Sequence, residues 1–271
     1  MISELLGMPF FSRALIALLA TGIAFPVLGT FILNLELIPA RFAVMHAALL
    51  GAAVALLLSL SPQVMAMAAS VLIGAAIALI SMRGRVSAGG SLGLIMTLCI
   101  GLAFIIFYKA NIHANEAFSL FWGSILTLTR EDTILTVCIA AAIVLFIITA
   151  YKEIHIVLYD RELAWAVGVP AKIIYVLIIL SVCLGIAAAI RVTGALLVDA
   201  VTILPALAAR QIGKSFKALI LWGAVLGVLI NMIGLFFSFA FDLPVSPGII
   251  VIGAAVILVM RGVSAPAKTQ R

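Results

Sequence analysis

The chain has 271 residues, 66% of them hydrophobic and 10% charged, with a formal net charge of +6 and a mean hydropathy of +1.39. A soluble domain of this length could not hide so large an apolar fraction from water, so the composition excludes one and describes an integral membrane protein.

A bilayer core about 30 Å thick asks for roughly 20 apolar residues per spanning helix. In chain order such stretches fall near 14–34, 42–60, 63–82, 90–108, 132–151, 172–190, 194–210, 218–240 and 246–262. They predict an all-α, polytopic transmembrane bundle, one domain over residues 1–271, with nine spans. The count is eight if 194–210, which is short and contains Pro205, is a broken or re-entrant helix. Continuous apolar runs are not the alternating segments of an outer-membrane barrel strand. Met1 to Arg13 lacks the basic flank and small-residue cleavage site of a signal peptide, so the first span is expected to be retained. Cys99, Cys138 and Cys183 stand singly in three different spans and suggest no metal cluster or redox pair.

Basic residues orient the spans. With the N-terminus outside, nine crossings put Arg41, Arg83, Arg85, Lys152, Arg161, Lys172, Arg210, Lys214, Lys217, Arg261, Lys268 and Arg271 on the cytoplasmic side. Only Arg13, Lys109, Arg130 and Arg191 fall outside. This is the asymmetry of the positive-inside rule. It favours 194–210 as a full crossing and a cytoplasmic C-terminus, and it explains the positive charge without a nucleic-acid partner.

The loops leave no room for a soluble catalytic domain. The longest cytoplasmic loop, within 152–171, reads KEIHIVLYDRELAWAVGVPA. Asp160 can cap a helix whose first turn holds Glu162, where the helix dipole favours an acid. About two turns are expected from Arg161 through Leu163, Ala164, Trp165 and Ala166 to Val167, with Gly168 as the stop and Pro170 opening the next element. Such a helix is either a plain connector or a docking helix that presents Leu163, Trp165 and Ala166 among charges. The longest outer loop, Lys109 to Glu131, carries Phe118, Phe121 and Trp122 as interfacial aromatics. His113 and Glu116 there share a helix face as a solvated pair or a metal site.

Ionisable residues inside spans point to function. Of ten acids, Asp199 alone lies well inside an apolar stretch, with Thr193 and Thr202 near it in sequence. Left unpaired it would cost several kcal/mol, so a cation, a hydrogen-bond network, protonation or water must compensate it. His46 is the only histidine in a span. It is either a satisfied core residue or, with Asp199, one of two donors for a borderline divalent cation. The predicted topology puts His46 towards the cytoplasmic end and Asp199 towards the outer end, as successive stations.

Four segments carry a family likeness. RVTGALLVDAVTILPALAAR (Arg191 to Arg210), YDRELAWAVGVP (Tyr159 to Pro170), FDLPVSPGIIVIGAAVILV from Phe241 and HAALLGAAVAL from His46 occur in that family's order and cover nearly the whole chain. Together they resemble the zinc/manganese/iron (ABC-3) family of ABC permeases. The resemblance implies a permease of the bacterial plasma membrane that works as a homodimer surrounded by lipid. It implies a separate ABC ATPase subunit docked on a coupling helix around Asp160 to Gly168, and an extracytoplasmic metal-binding protein that delivers the cargo. A divalent zinc, manganese or iron ion would be the transported substrate, with no cofactor bound by the chain. The chain itself has no GxxxxGK[ST] phosphate loop.

The family usually has an acid four residues before the second-span histidine. Here that position is Phe42, and Asp199 stands where the family commonly has a small or hydroxylated residue. Asp199 is therefore the candidate replacement for the lost carboxylate. Two other classes remain open: a permease for a metal chelate or a cobalamin-like cargo, and a gradient-driven secondary transporter with Asp199 as its proton site. No HExxH motif supports an intramembrane enzyme.

Overall fold

A computed structural model of the chain describes residues 8–82, 90–110, 125–194 and 198–264, and every regular element among them is helical. In order these are α1 (Pro9–Asn34), α2 (Ile38–Leu57), α3 (Pro62–Met82), α4 (Gly90–Lys109), a single 3-10 turn at Ile125–Thr127, α5 (Arg130–Thr149), α6 (Tyr151–Tyr159), α7 (Arg161–Ala166), α8 (Ala171–Thr193), α9 (Val198–Ile212), α10 (Phe216–Ala240) and α11 (Val245–Ser264). The His113–Glu116 pair and the aromatics Phe118, Phe121 and Trp122 lie outside the described residues.

Seven helices, α1 to α5, α8 and α10, are long and apolar enough to cross a membrane. The nine apolar stretches read from the sequence all become helices, but two fall short of that length. The apolar part of α11 runs from Val245 to Arg261. α9 has 15 residues, about 22 Å at 1.5 Å per residue, less than the bilayer core.

Residues 151–159, expected as loop, are helical. Ile154 and Val157 are buried while Lys152, His155 and Tyr159 are exposed, so α6 is amphipathic and lays its apolar side on α8. Ala150 is the only residue between α5 and α6.

The helices form two groups joined through a middle layer. α2 packs on α3 and α4; α9, α10 and α11 pack on one another. Between them α1 meets α9, α10, α5 and α8, and α8 also meets α3, α2 and α5. In lipid, helices gain little hydrophobic energy by associating, so close contact of small residues carries the packing. Gly22 of α1 and Gly227 of α10 let the two backbones touch: a Cβ on Gly22 would lie 3.0 Å from the Gly227 carbonyl carbon. Gly29 of α1 likewise lies against the Thr202 carbonyl of α9. One buried hydrogen bond reinforces the α1–α10 seam, in which Asn231 Nδ2 donates to the Leu18 carbonyl at 2.9 Å. The opposite side of α10 exposes Leu221, Val225, Leu229, Ile233 and Phe236 at helical spacing, a stripe for lipid.

Gly227→Leu should therefore wedge α1 from α10 and destabilise the bundle by about 1–3 kcal/mol. A clear fall in melting temperature in detergent would register it. Leu229→Ala, on the lipid stripe, should shift the melting temperature much less.

Candidate functional site

One end of the bundle gathers the chain's polar connections. Asn34 at the end of α1, His155 and Tyr159 of α6, and Lys214, Ser215 and Phe216 before and at the start of α10 line a cavity of about 250 Å³. Arg210 donates to Asn34 Oδ1 at 3.1 Å, and the His155 ring stacks on Phe216 with centroids 4.9 Å apart. On the topology expected from the positive-inside rule, this end faces the cytoplasm.

α7 is built beside it. Asp160, in extended conformation, accepts hydrogen bonds from the Glu162 and Leu163 amides at 2.8 and 3.0 Å, capping the helix. Gly168 ends it at φ +84°, with its amide donating to the Trp165 carbonyl and the Val169 amide donating to Ala164. The helix is pinned to the bundle by buried Ala164 and by the Arg161 guanidinium, 4.6 Å from the centre of the Tyr175 ring on α8. Its other side is free: Leu163 is 45% and Trp165 75% exposed, and Ala166 and Val167 are exposed beside them. The expected two turns from Arg161 are present, and Val167 serves as the C-cap.

Inside the membrane-spanning region, the partner of Asp199 is Arg41. The Arg41 Nη1 donates to Asp199 Oδ1 in a direct ion pair. Arg41 lies in the first turn of α2 and Asp199 in the first turn of α9, where the helix dipole also favours an acid. The Arg41 side chain is 3% exposed against 43% for Asp199. The guanidinium lies 4.2 Å from the centre of the Phe42 ring, and its buried Nε has no hydrogen-bond partner. Thr202 donates its hydroxyl to the Val198 carbonyl of its own helix.

Sequence reasoning counted Arg41 only as a cytoplasmic flank of the second span. Its deep placement was legible only in the sense that the one acid inside the apolar stretches needed a cation. Asp199 and Arg41 stand at one level of the bundle, because α9 runs alongside α1, which joins α2 through a short turn. The separation expected between an outer Asp199 and an inner α2 terminus is thus spanned by one arginine side chain.

His46 stands one turn beyond Phe42 on α2 and is half-buried. Its Nδ1 lies 2.7 Å from the Phe42 carbonyl. A carbonyl only accepts, so Nδ1 carries a hydrogen; in a neutral ring Nε2 is then the nitrogen that can bind a metal. Among the described residues no three His, Cys, Asp or Glu side chains group closely enough to hold an ion. One copy of the described chain offers a single well-prepared nitrogen and no complete site.

Comparison with known proteins matches residues 7–263 to the ABC 3 transport family. The chain is 25% identical over 251 residues to a manganese transport system membrane protein, MntC, of Halalkalibacterium halodurans, covering 93% of this chain and 86% of that one. It is 25% identical over 250 residues to the manganese import system permease protein ScaB of Streptococcus parasanguinis, covering 92% and 89%. A chelated iron transport system membrane protein, YfeD, of Yersinia pestis is 24% identical over 254 residues, covering 94% and 85%. Among solved structures, PsaBC from Streptococcus pneumoniae in complex with Fab superposes with a TM-score of 0.84 at 26% identity, over 96% of this chain and 95% of that one.

Asp160→Ala should loosen α7 by about 1 kcal/mol, the usual worth of a side-chain cap. Faster amide hydrogen exchange at Glu162 and Leu163 would show it, while Asp160→Asn should keep most of the protection.

Proposed function

Since the chain belongs to the ABC 3 transport family, we propose that it is the membrane-spanning permease subunit of an ATP-driven importer of divalent transition-metal ions, with manganese its foremost cargo. It is a transport subunit of a multi-pass bacterial ABC transporter and not an enzyme; ATP hydrolysis belongs to a separate subunit. The observation that carries the reading is near full-length likeness, in sequence and in fold, to permeases of metal import systems. Manganese is favoured over zinc and iron because two of these relatives bear its name.

α7 is the coupling helix. A six-residue helix held rigidly by a cap, a buried alanine and an arginine–tyrosine contact, with a tryptophan three-quarters exposed, has the make-up of an interface anchor. The ATPase subunit covers Leu163, Trp165 and Val167. In this orientation the chain crosses nine times, with the segment that holds α9 counted as one crossing, and its C-terminus is cytoplasmic. An extracytoplasmic metal-binding protein delivers the ion to the opposite end.

His46 supplies a nitrogen ligand along the pathway. A transition-metal ion takes about four or more donors, which a single described chain does not group. The open side of α2, with Phe42 37% exposed and His46 beside it, faces a second copy whose own His46 adds to the set. Asp199, the other donor singled out from sequence, is engaged by Arg41.

Two outcomes check this reading. The double variant Leu163→Ala/Trp165→Ala should lose the co-purifying ATPase while the chain still folds and inserts. His46→Ala should keep the ATPase but reduce uptake of radiolabelled manganese by roughly tenfold or more, the scale of losing a ligand. Retention of full uptake in both variants would overturn the reading.

A further inference from the structure

Asp199 is half-exposed, and an acid in that setting invites a role as cargo ligand. Its contacts point elsewhere. One oxygen is taken by Arg41, which reaches it from a different helix group: α2 packs with α3 and α4, and α9 with α1, α10 and α11. The Arg41 side chain is all but closed to solvent. A cation so placed must keep its counter-ion, because an uncompensated buried charge is strongly destabilising. A metal ion taking the same carboxylate oxygen would strand that guanidinium, whose Nε already lacks a partner.

The pair is also tied to His46. The Arg41 guanidinium lies over the Phe42 ring, and the Phe42 carbonyl accepts from His46 Nδ1. Asp199 thus meets Arg41, Arg41 meets the Phe42 ring, and the backbone carbonyl of that same residue holds His46 Nδ1. Along α2, Arg41 and His46 are five residues apart, which at 3.6 residues per turn sets them about 140° apart around the axis. An acid docked on Arg41 therefore approaches α2 from a side well away from His46.

We propose that Asp199 is a positioning residue: it holds Arg41, and through Arg41 and Phe42 it sets the His46 imidazole, without itself binding the metal. This rests on the reading of the chain as a metal permease with His46 in its pathway. The pair also clasps the two helix groups where α9 begins, so its geometry is set before any ion arrives.

The test compares Asp199→Asn, Arg41→Met and the double variant in the assembled transporter with its ATPase, reading both the maximal rate and the half-saturating concentration of manganese uptake. Asp199→Asn leaves Arg41 unpaired and should lower the maximal rate by about tenfold or more. The double variant, which removes both charges, should recover most of that loss, with half-saturation within about twofold of the unmodified protein. A ligand role predicts the reverse: a half-saturating concentration raised about tenfold in both variants that lack the carboxylate, with no recovery in the double one. A second measurement needs no transport. Nitrogen NMR of histidine-labelled, metal-free protein should show the His46 signals shifted by Asp199→Asn; unchanged signals would overturn the proposal. If the unmodified protein imports no metal at all, the transport reading fails, and the metal-free spectrum still decides whether Asp199 positions His46.

Discussion

A bilayer offers no water to a backbone amide or to a charge, and the form of this protein follows from that constraint. Every described segment at membrane depth is helical, because only a helix pairs its own backbone groups there. The helices then meet through small residues, as at Gly22 with Gly227 and Gly29 with Thr202, because lipid already satisfies the large apolar ones. Two polar contacts join helices that are distant in sequence: Asn231 with the Leu18 carbonyl, and Asp199 with Arg41.

The ion pair is the costliest of these, and it stands where the fold is least regular. α9 begins after a glycine at φ +87° and is shorter than a full crossing. Its N-terminal amides, which lack partners within the helix, carry positive partial charge, which Asp199 offsets, and Arg41 in turn offsets Asp199. A short helix, an acid in its first turn and an arginine from a neighbouring group together balance charge in a medium that tolerates none.

The sequence was most informative where local chemistry decides structure. Asp160, Glu162 and Gly168 specify a short capped helix, and the structure forms it within a residue of the expected end. Apolar runs located every long helix. What stayed hidden depends on tertiary placement. Ile154 and Val157 reveal α6 only once α8 is there to bury them. Arg41, by composition a flank of the positive-inside kind, is drawn inward by an acid 158 positions along the chain, a distance at which periodicity says nothing. His46 could be named from its position in an apolar run, but the hold of the Phe42 carbonyl on its Nδ1 is visible only in the structure.

The central claim is that this chain moves metal on ATP supplied by a docked partner. Its most direct test is transport into proteoliposomes that hold the chain and its co-purifying ATPase, supplied with radiolabelled manganese and the extracytoplasmic binding protein. Accumulation should require ATP on the coupling-helix side and persist when ionophores collapse every ion gradient. Uptake that follows an imposed proton or sodium gradient and ignores ATP would contradict it.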